Sequence, residues 1–213
     1  FGIDHYYMFP STPPDPDPVN ANNNNNSNNA TTTTTVTKTI EPKGILIYLH
    51  SCKQSGVDFF TLPEHRIIAH DIIYNKGLVV FAPSSYNRQS GCFTSDDLKS
   101  KNSNTNKGRY SLQKVVEEFL RKHKQLRKLP IVGMGDSSGG GFLFFVYGLL
   151  NLQSMAIYNS PQRYMNINMN NTAIVMMIPT VFLSMSSDIS ISTRMNINRI
   201  KLQEMNVQTK LFE

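Results

Sequence analysis

The sequence predicts an α/β fold in which helices cover both faces of a mainly parallel sheet. Short apolar runs of strand length alternate along the chain with segments of helical periodicity, which is the pattern that a parallel sheet with crossover helices requires. One run, GILIYL at Gly44–Leu49, is apolar throughout, as expected of a central strand buried on both faces. Another run, at Ile131–Met134, stops at a glycine-rich turn and passes directly into a helical pattern.

The first 35 residues differ in composition from the rest of the chain. Prolines are frequent between positions 10 and 18, and asparagine and threonine dominate positions 20 to 35. Such a segment has too little apolar surface to offset its ordering entropy. We therefore predict a disordered Pro/Asn/Thr-rich tail at residues 1–35 and a single domain at 36–213. The aromatic residues Tyr6 to Phe9, near the start of the tail, either dock onto the domain or stay loose.

The domain can be followed element by element. An alternating pattern at Val36–Ile40 predicts an edge strand, and Pro63 and Gly77 carry the start and stop signals of one helix. A long polar loop with an asparagine-rich insertion is expected at 91–107, and a second insertion follows Tyr158. The other predicted elements, in order, are strand 44–49, strand 78–82, helix 112–126, strand 131–134, helix 142–150, strand 155–158, strand 179–185, helix 191–202 and strand 207–212.

The turn Gly135-Asp136-Ser137-Ser138-Gly139 matches the G-x-S-x-G pattern of a nucleophile elbow. In such an elbow the serine occupies a strained strand-to-helix turn, and the flanking glycines remove the Cβ atoms that would block the close approach of neighbouring backbone. The amide of Ser138, at the N-terminus of the next helix, would face a developing oxyanion. The competing interpretation is an ordinary glycine-rich turn. A trypsin-like interpretation of GDSSGG would need an all-β setting, which the helical patterns contradict.

Composition narrows the classes of partner. The net charge of +6 is modest, and the basic cluster at 121–128 is expected to be the solvated face of a helix, so no nucleic-acid site is predicted. No run approaches the length of a membrane span, so the chain as given is not expected to be an integral membrane protein. No secretory signal is present, and the choice between a secreted and a cytoplasmic protein stays open. No metal or cofactor is implied, and the oligomeric state stays open.

Cys52 and Cys92 follow the ends of predicted strands and lack the spacing of a metal site. A disulfide in an oxidising compartment and two reduced, partly buried thiols are equally compatible with the sequence.

Several separated stretches together resemble one family. They are LHSCKQSGVDFF, LPEHRIIAHDIIYNKGLVVFAPSS, VVEEFLRKHKQLRKLPIVGMGDSSGG and PTVFLSMSSD, which together span most of residues 44–213. They resemble successive blocks of an uncharacterised α/β-hydrolase-like family of plants and protists, within the polyhydroxybutyrate depolymerase and esterase-like superfamily. GDSSGG also resembles the elbow of plant carboxylesterases, although the HGGG oxyanion motif of that group is replaced here by His50-Ser51-Cys52-Lys53.

The resemblance implies an α/β-hydrolase fold, expected to be incomplete at both ends, and a set of site residues. Ser137 would be the nucleophile, and Asp188, just beyond PTVFLSM, would stand where the orienting acid of these hydrolases lies. The loop from His50 would correspond to the oxyanion loop, so that the amide of Ser51 or Cys52 joins that of Ser138. His50 would hold this loop, with a general-base role as the alternative, and Asp188 could instead cap a helix.

The expected catalytic histidine is missing from this sequence. A serine nucleophile needs a base to accept its proton, and in α/β-hydrolases that base is a histidine after the last strand. No histidine follows His123. Either the sequence is a piece of a larger hydrolase, or the fold serves binding without catalysis, or a histidine from elsewhere acts, for which His50 is the first candidate.

We therefore expect a hydrolase that cleaves an ester-type small-molecule substrate through an acyl-enzyme at Ser137. The alternative is a non-catalytic protein that binds a hydrophobic ligand or a partner on the same scaffold.

Overall fold

The computed structural model describes residues 4–11, 40–94, 107–160, 178–183, 189–204 and 208–212. The strands are β1 (His5–Met8), β2 (Gly44–Leu49), β3 (Leu78–Pro83), β4 (Ile131–Asp136), β5 (Ser154–Tyr158), β6 (Thr180–Leu183) and β7 (Thr209–Phe212). The helices are α1 (Asp58–Thr61), α2 (Pro63–His70), α3 (Lys107–Lys122), α4 (Ser138–Val146) and α5 (Ile189–Glu204). A π-helical turn at Asp71–Asn75 extends α2, and a short 3₁₀ turn at Lys124–Leu126 follows α3.

The seven strands of the described chain form one sheet in the order β1-β3-β2-β4-β5-β6-β7. Every neighbouring pair is parallel except β1 with β3. Because β2, β4, β5 and β6 run in the same direction, their carboxyl ends meet at one edge of the sheet, where α/β proteins place their ligand sites. The mainly parallel sheet predicted from the alternation of elements is confirmed.

Two cores lie on opposite faces of the sheet. Successive side chains of β2 alternate between them, so Ile45, Ile47 and Leu49 pack in one cluster while Leu46 and Tyr48 pack in the other. The larger cluster contains the apolar residues of α3, α4 and α5, and the smaller cluster contains those of α1, α2 and the π-helical turn. Helices therefore cover both faces, as the sequence predicts.

The predicted tail needs a correction at its start. Residues His5–Met8 form strand β1, which pairs antiparallel with β3 at the edge of the sheet. Aromatic contacts explain why this segment is ordered, since the Tyr7 ring lies 5.4 Å from that of Phe119 and 5.2 Å from that of His123. Strand β1 is difficult to predict from the sequence because it is short and is followed by several prolines. Residues 12–39 lie outside the described chain, and so does most of the predicted strand 36–40; Ile40 is not in a strand.

The observed element ends refine the other predictions. The helix expected at 63–77 changes to π geometry at Asp71. The helix expected from 112 already begins at Lys107, and the helix after the elbow begins at Ser138 rather than 142. Of the helices that the structure describes, none has both the length and the apolar character needed to cross a membrane.

Candidate active site

Ser137 stands at a sharp turn between β4 and α4. Its backbone has φ 48° and ψ −110°, a left-handed region that few residues other than glycine adopt. The turn is held by a hydrogen bond of 2.8 Å from the Ser137 amide to the carbonyl oxygen of Tyr158 at the end of β5. The side chain is half-buried, and its hydroxyl makes no hydrogen bond to any described residue. This is the geometry of a nucleophile elbow.

The glycines on both sides of Ser137 are required by close backbone contacts. A Cβ atom on Gly135 would lie 2.6 Å from the Cα atom of Gly140. A Cβ atom on Gly139 would overlap the carbonyl oxygen of Leu49 and lie 2.6 Å from that of His50. The G-x-S-x-G spacing therefore reflects two contacts, one within the elbow and one between the elbow and the end of β2.

The same contact brings the predicted oxyanion loop beside the elbow, because His50 and Ser51 directly follow Leu49. In this loop the amide of Ser51 donates to Oε1 of Gln54 at 3.2 Å, and the amide of Lys53 donates to the carbonyl oxygen of Ser90 at 3.2 Å. The amide of Cys52 has no hydrogen-bond partner within the part of the chain that the structure describes. Of the two predicted loop donors, the Cys52 amide is thus the one left available.

His50 is fully buried, and both of its ring nitrogens are engaged. Nδ1 lies 2.7 Å from the carbonyl oxygen of Ser51, and Nε2 lies 2.9 Å from the amide of Ser85, which donates to it. A nitrogen that accepts a backbone N–H carries no proton, so Nδ1 is the donor and the ring is neutral. Burial lowers the pKa of His50, an effect that the Ser51 carbonyl partly offsets. These contacts tie the loop after β2 to the loop after β3.

A disulfide between Cys52 and Cys92 joins the same two loops. The hydroxyl of Ser85 donates to the carbonyl oxygen of Cys92 at 2.7 Å, which supports the second loop from within. Of the two alternatives that the sequence left open, the structure has the disulfide.

A pair of titratable side chains that the sequence analysis did not single out lies beneath the elbow. Asp136, the residue before Ser137, is buried, and its Oδ2 lies 4.0 Å from Nε2 of His65 on α2. The hydroxyl of Tyr48 approaches the same nitrogen at 3.4 Å, and Nδ1 of His65 is buried without a hydrogen-bond partner among the described residues. Burial raises the pKa of Asp136 to about 6, although His65 and the Ser137 amide oppose this. Burial likewise raises the pKa of Tyr48.

The pair opens into a cleft of about 370 Å³ between the first turn of α2 and the ends of β4 and β5. Leu62, Pro63, Glu64 and His65 line it on the helix side, and Asp136 and Tyr158 line it on the sheet side. We call it the α2 cleft. Two sequence signals could have indicated it: an aspartate inside the elbow motif, and a histidine two residues after the proline that starts a helix.

The remaining predicted site residue, Asp188, lies outside the described residues. All five histidines are described, and none of them makes a hydrogen bond to Ser137 there. His70 contacts Tyr74, and His123 contacts Phe119. The described part of the chain contains no group of three or more His, Cys, Asp or Glu side chains that could hold a metal ion.

Comparison with known proteins identifies the fold of this chain but not a family. No protein-family model matches the sequence. No curated protein matches it either.

Solved structures do match the fold. YahD, solved with malic acid, is 12% identical with a TM-score of 0.62, covering 99% of this chain and 88% of its own. XC6422 from Xanthomonas campestris, described as a serine hydrolase without a lid, is 12% identical with a TM-score of 0.57, covering 99% of this chain and 77% of its own. Dienelactone hydrolase from Anabaena variabilis is 15% identical with a TM-score of 0.53, and the match covers 80% of this chain and 73% of the dienelactone hydrolase chain. At such low identity these matches establish the fold alone, and the chain has the α/β-hydrolase fold.

Proposed function

We propose that this chain is a serine hydrolase that cleaves an ester-type substrate through an acyl-enzyme at Ser137. The observation that carries the proposal is the strained backbone of Ser137, which leaves a half-buried hydroxyl free of hydrogen bonds to described residues at the carboxyl edge of the sheet. Strained backbone of this kind persists where the surroundings enforce it, and it is concentrated at active sites.

The reaction follows from the positions of the groups. The Ser137 oxygen attacks the ester carbonyl carbon while its proton passes to a base, and the carbonyl oxygen becomes an oxyanion. Amides at Ser138 and at Cys52 stabilise that charge, since the Ser51 amide is engaged with Gln54. The C–O bond to the alcohol then breaks, the alcohol leaves with a proton, and water releases the acyl group as an acid. Asp188 is proposed as the residue that orients the base.

The base is the part of the machinery that this sequence does not supply in the usual place. The two ring nitrogens of His50 are engaged with Ser51 and Ser85, so its contacts favour a role in holding the loop over proton transfer. The base that the proposal needs is a histidine after the last strand, as in other α/β-hydrolases, and no histidine of this sequence occupies that position.

Labelling with a fluorophosphonate tests whether the serine is activated. We expect the protein to be labelled at Ser137, and the label to disappear in Ser137→Ala. Ser154→Ala, which removes a hydroxyl at the opposite end of β5, is the matched control and should keep the label. Lack of label on folded protein would contradict an activated nucleophile.

The second candidate is a binding protein without catalysis on the same scaffold. The observation that favours it is the absence of a hydrogen bond between Ser137 and any of the five histidines. The same labelling experiment separates the two candidates, since a binding protein would remain unlabelled while its fold is intact.

A further inference from the structure

We propose that the α2 cleft binds the alcohol portion of the ester and selects alcohols that carry further hydroxyl groups, such as a glyceryl or sugar unit. This inference rests on the proposed function, because it names the substrate of the same site. Four features of the cleft support the inference. They are a hydrogen-bond acceptor on one wall, hydrogen-bond donors on the other, the charges of the groups that line the cleft, and the position of the cleft beside Ser137.

The acceptor is the carboxylate of Asp136. The residue is 8% exposed and lines the cleft. Its nearest titratable neighbour, Nε2 of His65, is 4.0 Å away, which is beyond hydrogen-bond distance. Apart from the adjoining Ser137 amide, no donor of the described chain satisfies this carboxylate. A buried carboxylate is costly without hydrogen bonds, so a ligand hydroxyl that donates to it is favoured.

The donors are at the first turn of α2. The first amide hydrogen bond there runs from Arg66 to the carbonyl oxygen of Leu62 at 2.8 Å. The amides of Glu64 and His65 precede it and have no partner among the described residues, as expected at a helix N-terminus, and no side chain caps them. They can donate to the oxygen of the same hydroxyl group, or to that of a neighbouring one.

The charges and donors around the cleft together favour a neutral ligand. Asp136 and Glu64 disfavour an anion, although the chain as a whole carries +6. A cation would pair with these carboxylates but would leave the amides at the start of α2 without an acceptor. A hydroxyl group both donates and accepts, so it satisfies the carboxylate and the amides without adding charge. Leu62 and Pro63 offer apolar surface to the carbon atoms between hydroxyls.

The cleft adjoins the turn that carries Ser137, although Ser137 itself does not line it. Asp136 precedes Ser137 in the chain, and Tyr158, on the sheet side of the cleft, accepts the Ser137 amide hydrogen bond. An ester whose carbonyl carbon lies at Ser137 can therefore extend one of its two groups into the cleft.

Two acetate esters test the selection. Glyceryl 1-acetate and propyl acetate share the acyl group and a three-carbon alcohol, and they differ by two hydroxyls. We expect the wild-type kcat/KM to favour the glyceryl ester about tenfold, the value of one hydrogen bond to a charged group. Asp136→Asn and Asp136→Ser should bring the ratio close to one. Asp71→Asn, an exposed carboxylate on the π-helical turn, is the matched control and should keep the wild-type ratio.

The ratio is taken within one protein preparation, so it does not depend on the fraction that is folded. A wild-type ratio near one, or a ratio unchanged in both Asp136 variants, overturns the inference while Ser137 labelling still supports the hydrolase. If neither ester is turned over, the Ser137 label alone decides on the proposed function, and saturation-transfer NMR with the same two esters tests the cleft. Selective binding of the glyceryl ester that is lost in Asp136→Asn supports the inference, and equal or absent binding overturns it.

Discussion

The carboxylate of Asp136 lies 4.0 Å from Nε2 of His65, and the two side chains are 12% and 11% exposed. The same nitrogen is 3.4 Å from the hydroxyl of Tyr48. The carboxylate thus lies under the elbow, close to a histidine but without a direct hydrogen bond to it. Ionised Asp136 therefore destabilises the fold, because nearby hydrogen bonds and charges offset only part of the cost of burying its carboxylate.

Replacing Asp136 by asparagine should therefore stabilise the protein at neutral pH. The pKa of Asp136 is raised from 3.8 to about 6, so the folded state holds its proton over a range in which the unfolded state has lost it. Wild-type stability falls as pH rises from about 4 to 6, and the full cost of up to about 3 kcal/mol is present at pH 7.

Urea unfolding of both proteins at pH 4 and pH 7 measures this cost. The advantage of Asp136→Asn should be present at pH 7 and mostly lost at pH 4, where Asp136 is protonated in the folded state and partly protonated in the unfolded state. Asp71→Asn serves as the exposed control. An Asp136→Asn variant that is less stable than wild type at pH 7 would show that the carboxylate is well compensated.

The sequence predicted those parts of the molecule that depend on local pattern. Ile45 to Leu49 read as a buried strand because both faces of β2 are covered, and Gly135 and Gly139 indicated the elbow because backbone contacts exclude any side chain there. By contrast, His65 meets Asp136 only through tertiary packing of α2 against the sheet, 71 residues apart in the sequence. Periodicity carries no information about such a contact.

The elbow depends on Gly139, so Gly139→Ala should unfold the protein or destabilise it by about 3 kcal/mol or more. The new methyl group would overlap the backbone carbonyl of Leu49 at the end of the central strand β2, which cannot move without breaking the sheet. Gly148→Ala is the matched control, since a Cβ atom there has nothing within 4 Å. Thermal unfolding of both variants compares them, and equal melting temperatures would mean that the elbow can move away from β2.

His50 should contribute to stability through its two hydrogen bonds, and the contribution should depend on pH. His50→Ala leaves the Ser85 amide unpaired and opens a cavity, at a cost of about 2–4 kcal/mol at pH 8. Because burial lowers the pKa of His50, the unfolded state binds its proton first as pH falls below 6.5, and wild-type stability declines. The gap between wild type and His50→Ala, measured by urea unfolding, should therefore narrow at pH 5.

A gap that stays constant between pH 8 and pH 5 would mean that His50 titrates alike in both states. His70→Ala offers the comparison, because His70 is an exposed histidine on α2 and should change stability little at either pH.

The disulfide between Cys52 and Cys92 should stabilise both the fold and the proposed oxyanion loop. It closes a loop of 40 residues, and the chain-entropy estimate for that length is about 4 kcal/mol. Reduction should lower the urea midpoint by a corresponding amount, with two free thiols appearing by titration.

Reduction should also lower fluorophosphonate labelling of Ser137 in protein that remains folded. The reason is that the Cys52 amide is then held only through its neighbours, Lys53 bonded to Ser90 and Ser51 bonded to Gln54. The Cys52→Ser/Cys92→Ser variant, treated with the same reductant, controls for effects of the reductant itself. Labelling that survives reduction at the full rate would place the second oxyanion donor outside this loop.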